Sequence, residues 1–534
     1  MSSLPKERAT SIPALLQRRA GSTSVALRVK RLGLWESVSW QRYARSVRAL
    51  TAYLLKKGLE PGERVAVFSE NRPEWLVADM GIQGAGAITV GVYVTSGPEQ
   101  LRYYLEHSGA KGLILEGAEQ LEKWLLLERE GLGVEWVVAF DPEGRDDILD
   151  WQQIMEEGAR IDEMEPGVVD ERLATLSPED PALFIYTSGT TGLPKAAVLS
   201  HQNLLWAAET VIETFSFNSD DELLSFLPLS HIVERLITVA APLLAGYTVS
   251  FTENPDTVLT NLQEIRPTLF FAVPRIWEKI YSLVEIHMQE VDLLKRSAYR
   301  WAMATTRRQQ RISVWLAHLL VLKWLRARLG LDRVRLAISG AAPISPHLLA
   351  YFRAIGLDMR EGYGMTENSG LTSIHQRRLS LGTVGEPFPG VEVKIGHDGE
   401  ILTRSEGVFL GYFSNRKATE EVLRDGWLHT GDVGEFDAEG QLSITDRKKD
   451  IIVTAGGKNI APQKIENVLK ASIYVSDAVV FGDRRKYLVA LLVLDEDTLS
   501  RWAADHQIPY TTYRDLMENA EVGRLISATV AEIN

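Results

Sequence analysis

Phe184–His201 reads FIYTSGTTGLPKAAVLSH, and the rest of the chain is best understood outward from it. An apolar run enters a loop of small and hydroxyl-bearing residues: Thr187, Ser188, Gly189, Thr190, Thr191 and Gly192. Pro194 and Lys195 follow, and the chain turns apolar again. Small residues let backbone N–H groups approach phosphate oxygens, hydroxyls add donors, and a lysine adds positive charge. The loop is not a Walker A loop, because the Gly-Lys-Ser/Thr ending is absent. A bare Gly/Ser/Thr loop is also an ordinary turn, so at this level both readings stand.

On the N-terminal side, residues 38–115 alternate helical and strand patterns. SVSWQRYARSVRALTAYLLKKGL has apolar residues at helical spacing, Ser37 and Ser39 as candidate caps, and a stop at Gly58. ERVAVFSEN reads as a buried strand, NRPEWLVADMGIQGAGA as a helix and AITVGVYV as a strand. Such alternation predicts a parallel sheet covered by helices on both faces. From about Asp446 the pattern becomes shorter and more polar, with a Gly-Gly turn, a helix and two strands, DAVVFGD and YLVALLVLDED. The expected architecture is therefore α/β: a large N-terminal domain of helix-flanked sheets over 1–446, and a small mobile α+β domain over 447–534.

One stretch departs from this background. Asp292–Arg335 holds eleven lysines and arginines against two acids, interleaved with Trp301, Trp315, Trp324 and many leucines. It predicts a basic amphipathic helical insert at about 285–330. The two readings are helices that pack on the core with a solvated basic face, and a surface that docks on anionic lipid.

Composition narrows the classes. The chain has 534 residues, net charge −13 and 45% apolar residues, a soluble globular mix. That charge argues against a general nucleic-acid binder. With no cysteine there is no disulfide, thiolate metal site or thiol nucleophile. The N-terminus lacks a signal-peptide core and no run of about 20 apolar residues occurs. The expected location is cytoplasmic, with peripheral contact to the inner membrane face.

YTSGTTGLPK resembles the phosphate-loop signature of the superfamily of acyl-CoA synthetases, luciferases and peptide-synthetase adenylation domains. Further strings resemble that family's motifs in the same order: LPLSHIVER (227–235), ISGAAPIS (338–345), REGYGMTENSG (360–370), GTVGEPFPGVEV (382–393), the segment 426–460 and APQKIE (461–466). The resemblance spans nearly the whole chain and is strongest to long-chain acyl-CoA synthetases, including their bubblegum-type branch.

The resemblance implies ATP- and Mg²⁺-dependent activation of a fatty acid to acyl-AMP, followed by transfer to coenzyme A. Alternatives are an acyl-AMP ligase serving a carrier-protein thiol, and a non-catalytic nucleotide- or acyl-binding protein. It implies that Lys195, Glu367 and Arg447 are catalytic, with Thr187 and Glu367 facing Mg²⁺. Gly340, Ala341, Ala342, Glu361, Gly362, Tyr363, Gly364, Met365, Thr366 and Asp432 would join the phosphate loop around the nucleotide. His231 would lie at the substrate pocket, or be an ordinary structural histidine. Lys449 would be the hinge, or a solvated turn lysine, and Gly456 and Gly457 would face the entering CoA. One departure stands out: the last lysine is Lys486, and the C-terminal lysine that the family uses in adenylation has no match. The small domain therefore reads as cut short.

Overall fold

The computed structural model describes residues 11–127, 131–187, 192–307, 311–376, 379–470 and 472–533. The helix Trp40–Lys56 shows how the pattern becomes structure. Ser39 caps it by accepting from the Arg42 N–H at 3.2 Å, which satisfies one of the helix's free amides. Tyr43, Val47, Leu50 and Leu54 fall on one buried face. The helix then ends, and Gly58 follows at φ +82°, a left-handed conformation that glycine adopts without strain.

Two large sheets carry the N-terminal domain. In the first, the strands run in the order 411–412, 195–200, 181–187, 88–92, 64–68, 112–115, 136–139 and 149–150. Its middle is parallel, and the phosphate-loop strands form an antiparallel hairpin with Thr187 opposite Lys195. The two strands that flank that loop thus pair as a hairpin, and the next helix begins only at His201. In the second sheet the order is 386–387, 373–374, 359–363, 336–339, 269–272, 222–225, 248–251, 25–31 and 34–39. Its side chains alternate between two cores, as a strand's period of two requires. Phe271 and Ile338 are register partners on the face of the main core. Phe270 and Ala337 face a second core built on Trp277 and Phe352.

A smaller antiparallel sheet joins 392–395, 400–404, 427–436, 423–424 and 442–447. Its pairing continues through Arg447, opposite Asp432, and the small domain's own core begins at Ile452, with Leu469, Val475 and Leu499. Two hairpins, 452–453 with 459–460 and 475–481 with 489–494, make its sheets.

The insert forms the helices Leu293–Arg307 and Arg311–Ala317, a π-helical turn His318–Leu322, and the helix Lys323–Leu329. Tyr299, Ala302, Met303, Ala317 and Leu322 bury against the second core. The three tryptophans do not: Trp301, Trp315 and Trp324 are 43%, 62% and 68% exposed.

LPLSHIVER turns into a π-helical segment, Arg235–Ala240, held from below by buried charge. The Arg235 guanidinium meets Asp79 at 2.5 Å with both side chains almost fully buried, and Gln83 donates to the same carboxylate at 2.7 Å. Glu234 accepts from the Thr238 hydroxyl at 2.7 Å and from Ser225. Removing Asp79 or Arg235 would strand the other's buried charge, at a cost of about 3–5 kcal/mol.

Candidate active site

A cavity of about 1900 Å³ opens where the sheets meet, beside the carboxyl ends of the parallel strands, where open α/β sheets ordinarily hold ligands. Thr187, Gly192 and Lys195 reach it from the hairpin, Gly340–Ala342 from the loop after strand 336–339, and Glu361–Glu367 from the strand 359–363 and the turn beyond it. Asp432, Arg447 and Lys449 approach from the smaller sheet and the turn that follows. His231 also lines it. Ser188, Gly189, Thr190 and Thr191 lie outside the described residues. Gly456 and Gly457 sit in the turn of the hairpin 452–460 and do not line this cavity.

The local backbone explains the small residues. A Cβ on Gly364 would stand 2.0 Å from the Gly370 carbonyl oxygen, so any side chain there would break the turn. Ala341 is held at φ +66°, a strained position for a residue with a Cβ and a kind of strain that gathers at ligand sites.

Directional polar contacts order the rest. The Tyr363 hydroxyl donates to Asp432 Oδ2 at 2.6 Å, and Arg447 Nε lies 3.6 Å from Oδ1. Burial raises the Asp432 pKa, while the Tyr363 hydroxyl and Arg447 work against the rise. Glu367 is buried and its pKa is likewise raised by desolvation, opposed by the Tyr412 hydroxyl, Arg447 and Lys195. Glu361 is pushed up to about 7 by burial, with the Ile344 N–H at 3.2 Å pulling the other way. His231 caps a helical turn: its Nδ1 accepts from the Val233 N–H at 3.3 Å, which leaves the proton on Nε2. Desolvation lowers its pKa, so the ring is neutral near pH 7.

Two residues of the site carry no sequence signal strong enough to single them out. Tyr412 donates to Glu367 Oε1 at 2.6 Å, and its ring lies 5.1 Å from Lys195 Nζ, so one tyrosine ties the two together. Glu400 accepts from the Gly431 N–H at 2.9 Å and from Lys448 at 3.2 Å, fixing the strand that presents Asp432. Both sit in ordinary-looking strands, and only the pairing of those strands shows what they touch.

The AMP-binding enzyme family matches residues 16–413, and the AMP-binding enzyme C-terminal domain matches 449–518. The chain belongs to the AMP-binding enzyme family. Among its relatives, the long-chain-fatty-acid–CoA ligase FadD15 of Mycobacterium tuberculosis is 36% identical over 94% of this chain and 85% of its own length. The long-chain-fatty-acid–CoA ligase ACSBG2 of Rattus norvegicus is 33% identical over 91% and 77%. The family fold is also seen in the anthranilate CoA ligase AuaEII bound to anthranoyl-AMP, with a TM-score of 0.73 at 20% identity, covering 95% of this chain and 93% of that one.

Proposed function

We propose that this AMP-binding enzyme activates a long-chain fatty carboxylate with ATP and Mg²⁺ and passes the acyl group to coenzyme A. The observation that carries this reading is the two-ended cavity. Its polar end joins Lys195, Glu367, Asp432 and Arg447, and its other end is an apolar arm lined by Phe215, Leu236, Ile237, Phe271 and Ile338. The volume of about 1900 Å³ exceeds the 300–1,000 Å³ or so of an ordinary small-molecule pocket and suits a nucleotide and a chain together. Relatives named as long-chain-fatty-acid–CoA ligases support the acyl class.

A carboxylate is a poor acyl donor because its leaving group would be an oxide. Attack of a carboxylate oxygen on the α-phosphorus of ATP expels pyrophosphate and leaves AMP as the leaving group. The CoA thiol, having given its proton to solvent, then attacks the acyl carbon and AMP departs. The protein's work is positioning and charge neutralisation. Lys195 supplies positive charge at the phosphates, Asp432 accepts from ribose hydroxyls, and Tyr363 offers its ring to the base. Neutral His231 takes no proton from an acid already ionised; it orients the carboxylate through Nε2–H. Thr187 and Glu367 offer hard oxygen donors for Mg²⁺, which would shield phosphate charge. Among the described residues no group of three or more acidic or histidine side chains could hold a metal alone. That fits an ion carried mainly by phosphates and one carboxylate.

The test is pyrophosphate release from ATP with a series of fatty acids, then thioester formation with CoA or with a carrier protein offered separately. Long acids should release pyrophosphate and CoA should consume the adenylate. Consumption by the carrier alone would move the protein to the rival ligase class, and no release with any acid would leave a binding protein.

The insert adds a second element to the reading: docking on an anionic bilayer. Its helices already have a buried face, yet Leu294, Ile312, Trp315, Leu320 and Trp324 stay exposed beside the exposed bases Lys295, Arg300, Lys323 and Arg328. Core packing needs one apolar face; the second, with bases at its edge, matches a headgroup interface. Among the described residues no helix is long and apolar enough to cross a membrane, so contact would be peripheral. Binding to phosphatidylglycerol vesicles should exceed binding to phosphatidylcholine, weaken with salt, and fall when those four bases become Glu. Equal binding to both vesicles, or none, would end the electrostatic docking idea.

A further inference from the structure

We propose that Phe215 and Phe388 form the floor of the apolar arm and set the longest acyl chain the enzyme accepts, an inference that rests on the acyl reading above. The arm lies beside strand 336–339, whose Ile338 lines it. The cavity touches Gly340, just past the carboxyl end of strand 336–339. It also touches Phe215, whose carbonyl accepts from Arg335 at 3.0 Å, and Arg335 stands just before the amino end of the same strand.

Several elements make the sides of the arm. Gly362 borders the cavity, and a Cβ there would press at 3.2 Å on Cδ1 of Ile374, which also lines it. Phe271 and Ile338 line one wall side by side, and Leu236 and Ile237 of the π-helical segment line another.

At the far end the character changes abruptly. Phe215 closes the helix His201–Phe215, and Ser216 turns the chain at φ 53° so that Phe217 stacks on Phe215 at 5.7 Å. Phe388 meets Phe215 edge-on at 6.2 Å. Directly behind this aromatic layer the surroundings are ionic. The Arg360 guanidinium lies 5.6 Å from the Phe215 ring, and Arg335 lies 5.8 Å from the Phe217 ring while pairing with buried Asp221. A methyl terminus reaching the floor meets aromatic carbon. A longer chain would have to displace that packed layer or lie against guanidinium and carboxylate groups, which lose solvation without gaining a partner. Within the arm each further methylene is worth about fourfold in binding; beyond the floor the gain stops.

The experiment is the chain-length profile of kcat/KM for saturated acids from octanoate to lignocerate, in the parent protein and in Phe215→Ala, Phe388→Ala and Phe215→Trp. The two alanine variants should move the optimum to longer acids, and Phe215→Trp should move it to shorter ones. Phe215→Trp enlarges rather than empties the site, so its opposite shift keeps the test decisive if an alanine variant folds poorly. A parent active on fatty acids whose profile is unchanged in all three variants would overturn the floor alone. A parent that releases pyrophosphate with no acid of any length would instead overturn the acyl reading beneath it.

Discussion

The two ends of the cavity are built on different physics. At the polar end, short hydrogen bonds hold the carboxylates, Tyr363 to Asp432 and Tyr412 to Glu367, with Arg447 3.6 Å from Asp432. The residues there sit on loops and strand ends, and several are glycine. In the acyl arm the walls are aliphatic and aromatic side chains from a helix, a π-helical segment and three strands, and the contacts have no preferred direction. A ligand of fixed shape is held by hydrogen bonds and charge. A chain of repeating methylenes is held by area alone, so its specificity resides in where the arm ends.

Perturbations at the polar end should therefore cost turnover steeply, and those in the arm should change acid preference mildly. The largest effect belongs to Lys195→Ala. Loss of a cation aimed at developing phosphate charge should lower the adenylation rate about 10²–10³-fold, read as pyrophosphate release at saturating ATP. An unchanged rate in a folded variant would remove the hairpin lysine from the polar end.

Glu234→Gln probes the support under the arm rather than its lining. Burial raises the Glu234 pKa from the ordinary 4.5 to about 7. The native state thus keeps a proton that the unfolded chain releases. This stabilisation is complete below about pH 4.5 and is lost as pH rises through about 7. Urea midpoints should show the parent losing stability over that window relative to Glu234→Gln, by up to about 3 kcal/mol. Parallel pH profiles for the two proteins would show that Glu234 does not carry the proton.

Tyr412→Phe removes the hydroxyl that links Glu367 to the hairpin while keeping the ring beside Lys195. Turnover should fall about tenfold, an amount in keeping with losing one hydrogen bond to a charged group, and more Mg²⁺ should be needed for half-maximal rate. A variant with parent-like Mg²⁺ dependence would reduce Tyr412 to packing.

The mildest effect should come from Gly362→Ala, which places a methyl group 3.2 Å from Ile374 Cδ1 inside the arm. KM for long acids should rise about threefold while KM for ATP stays put, a small overpacking cost spread over a flexible side chain. If KM for ATP rises instead, Gly362 belongs to the polar end and the division between the two ends is drawn in the wrong place.

The motif residues that meet in the cavity were the part that could be singled out locally. In EGYGMTE the turn needs particular residues in immediate succession, since a Cβ on Gly364 would stand 2.0 Å from the Gly370 carbonyl oxygen. The helix 40–56, with its cap at Ser39 and its buried stripe, was equally plain, since a helix's period and ends are properties of neighbours in sequence. The small domain's two strands and the basic insert could also be read this way. Tertiary structure alone decided the rest. Tyr412 meets Glu367 across 45 residues of chain, Arg235 meets Asp79 across 156, and Phe388 meets Phe215 across 173. Nothing local marks such partners, because an aromatic or a charge reads the same whether it faces solvent, a core or a ligand. Which face of the insert the tryptophans occupy, and where the acyl arm stops, depend on how separate elements pack. Packing is set by the sum of many weak contacts, and no short string of residues contains it.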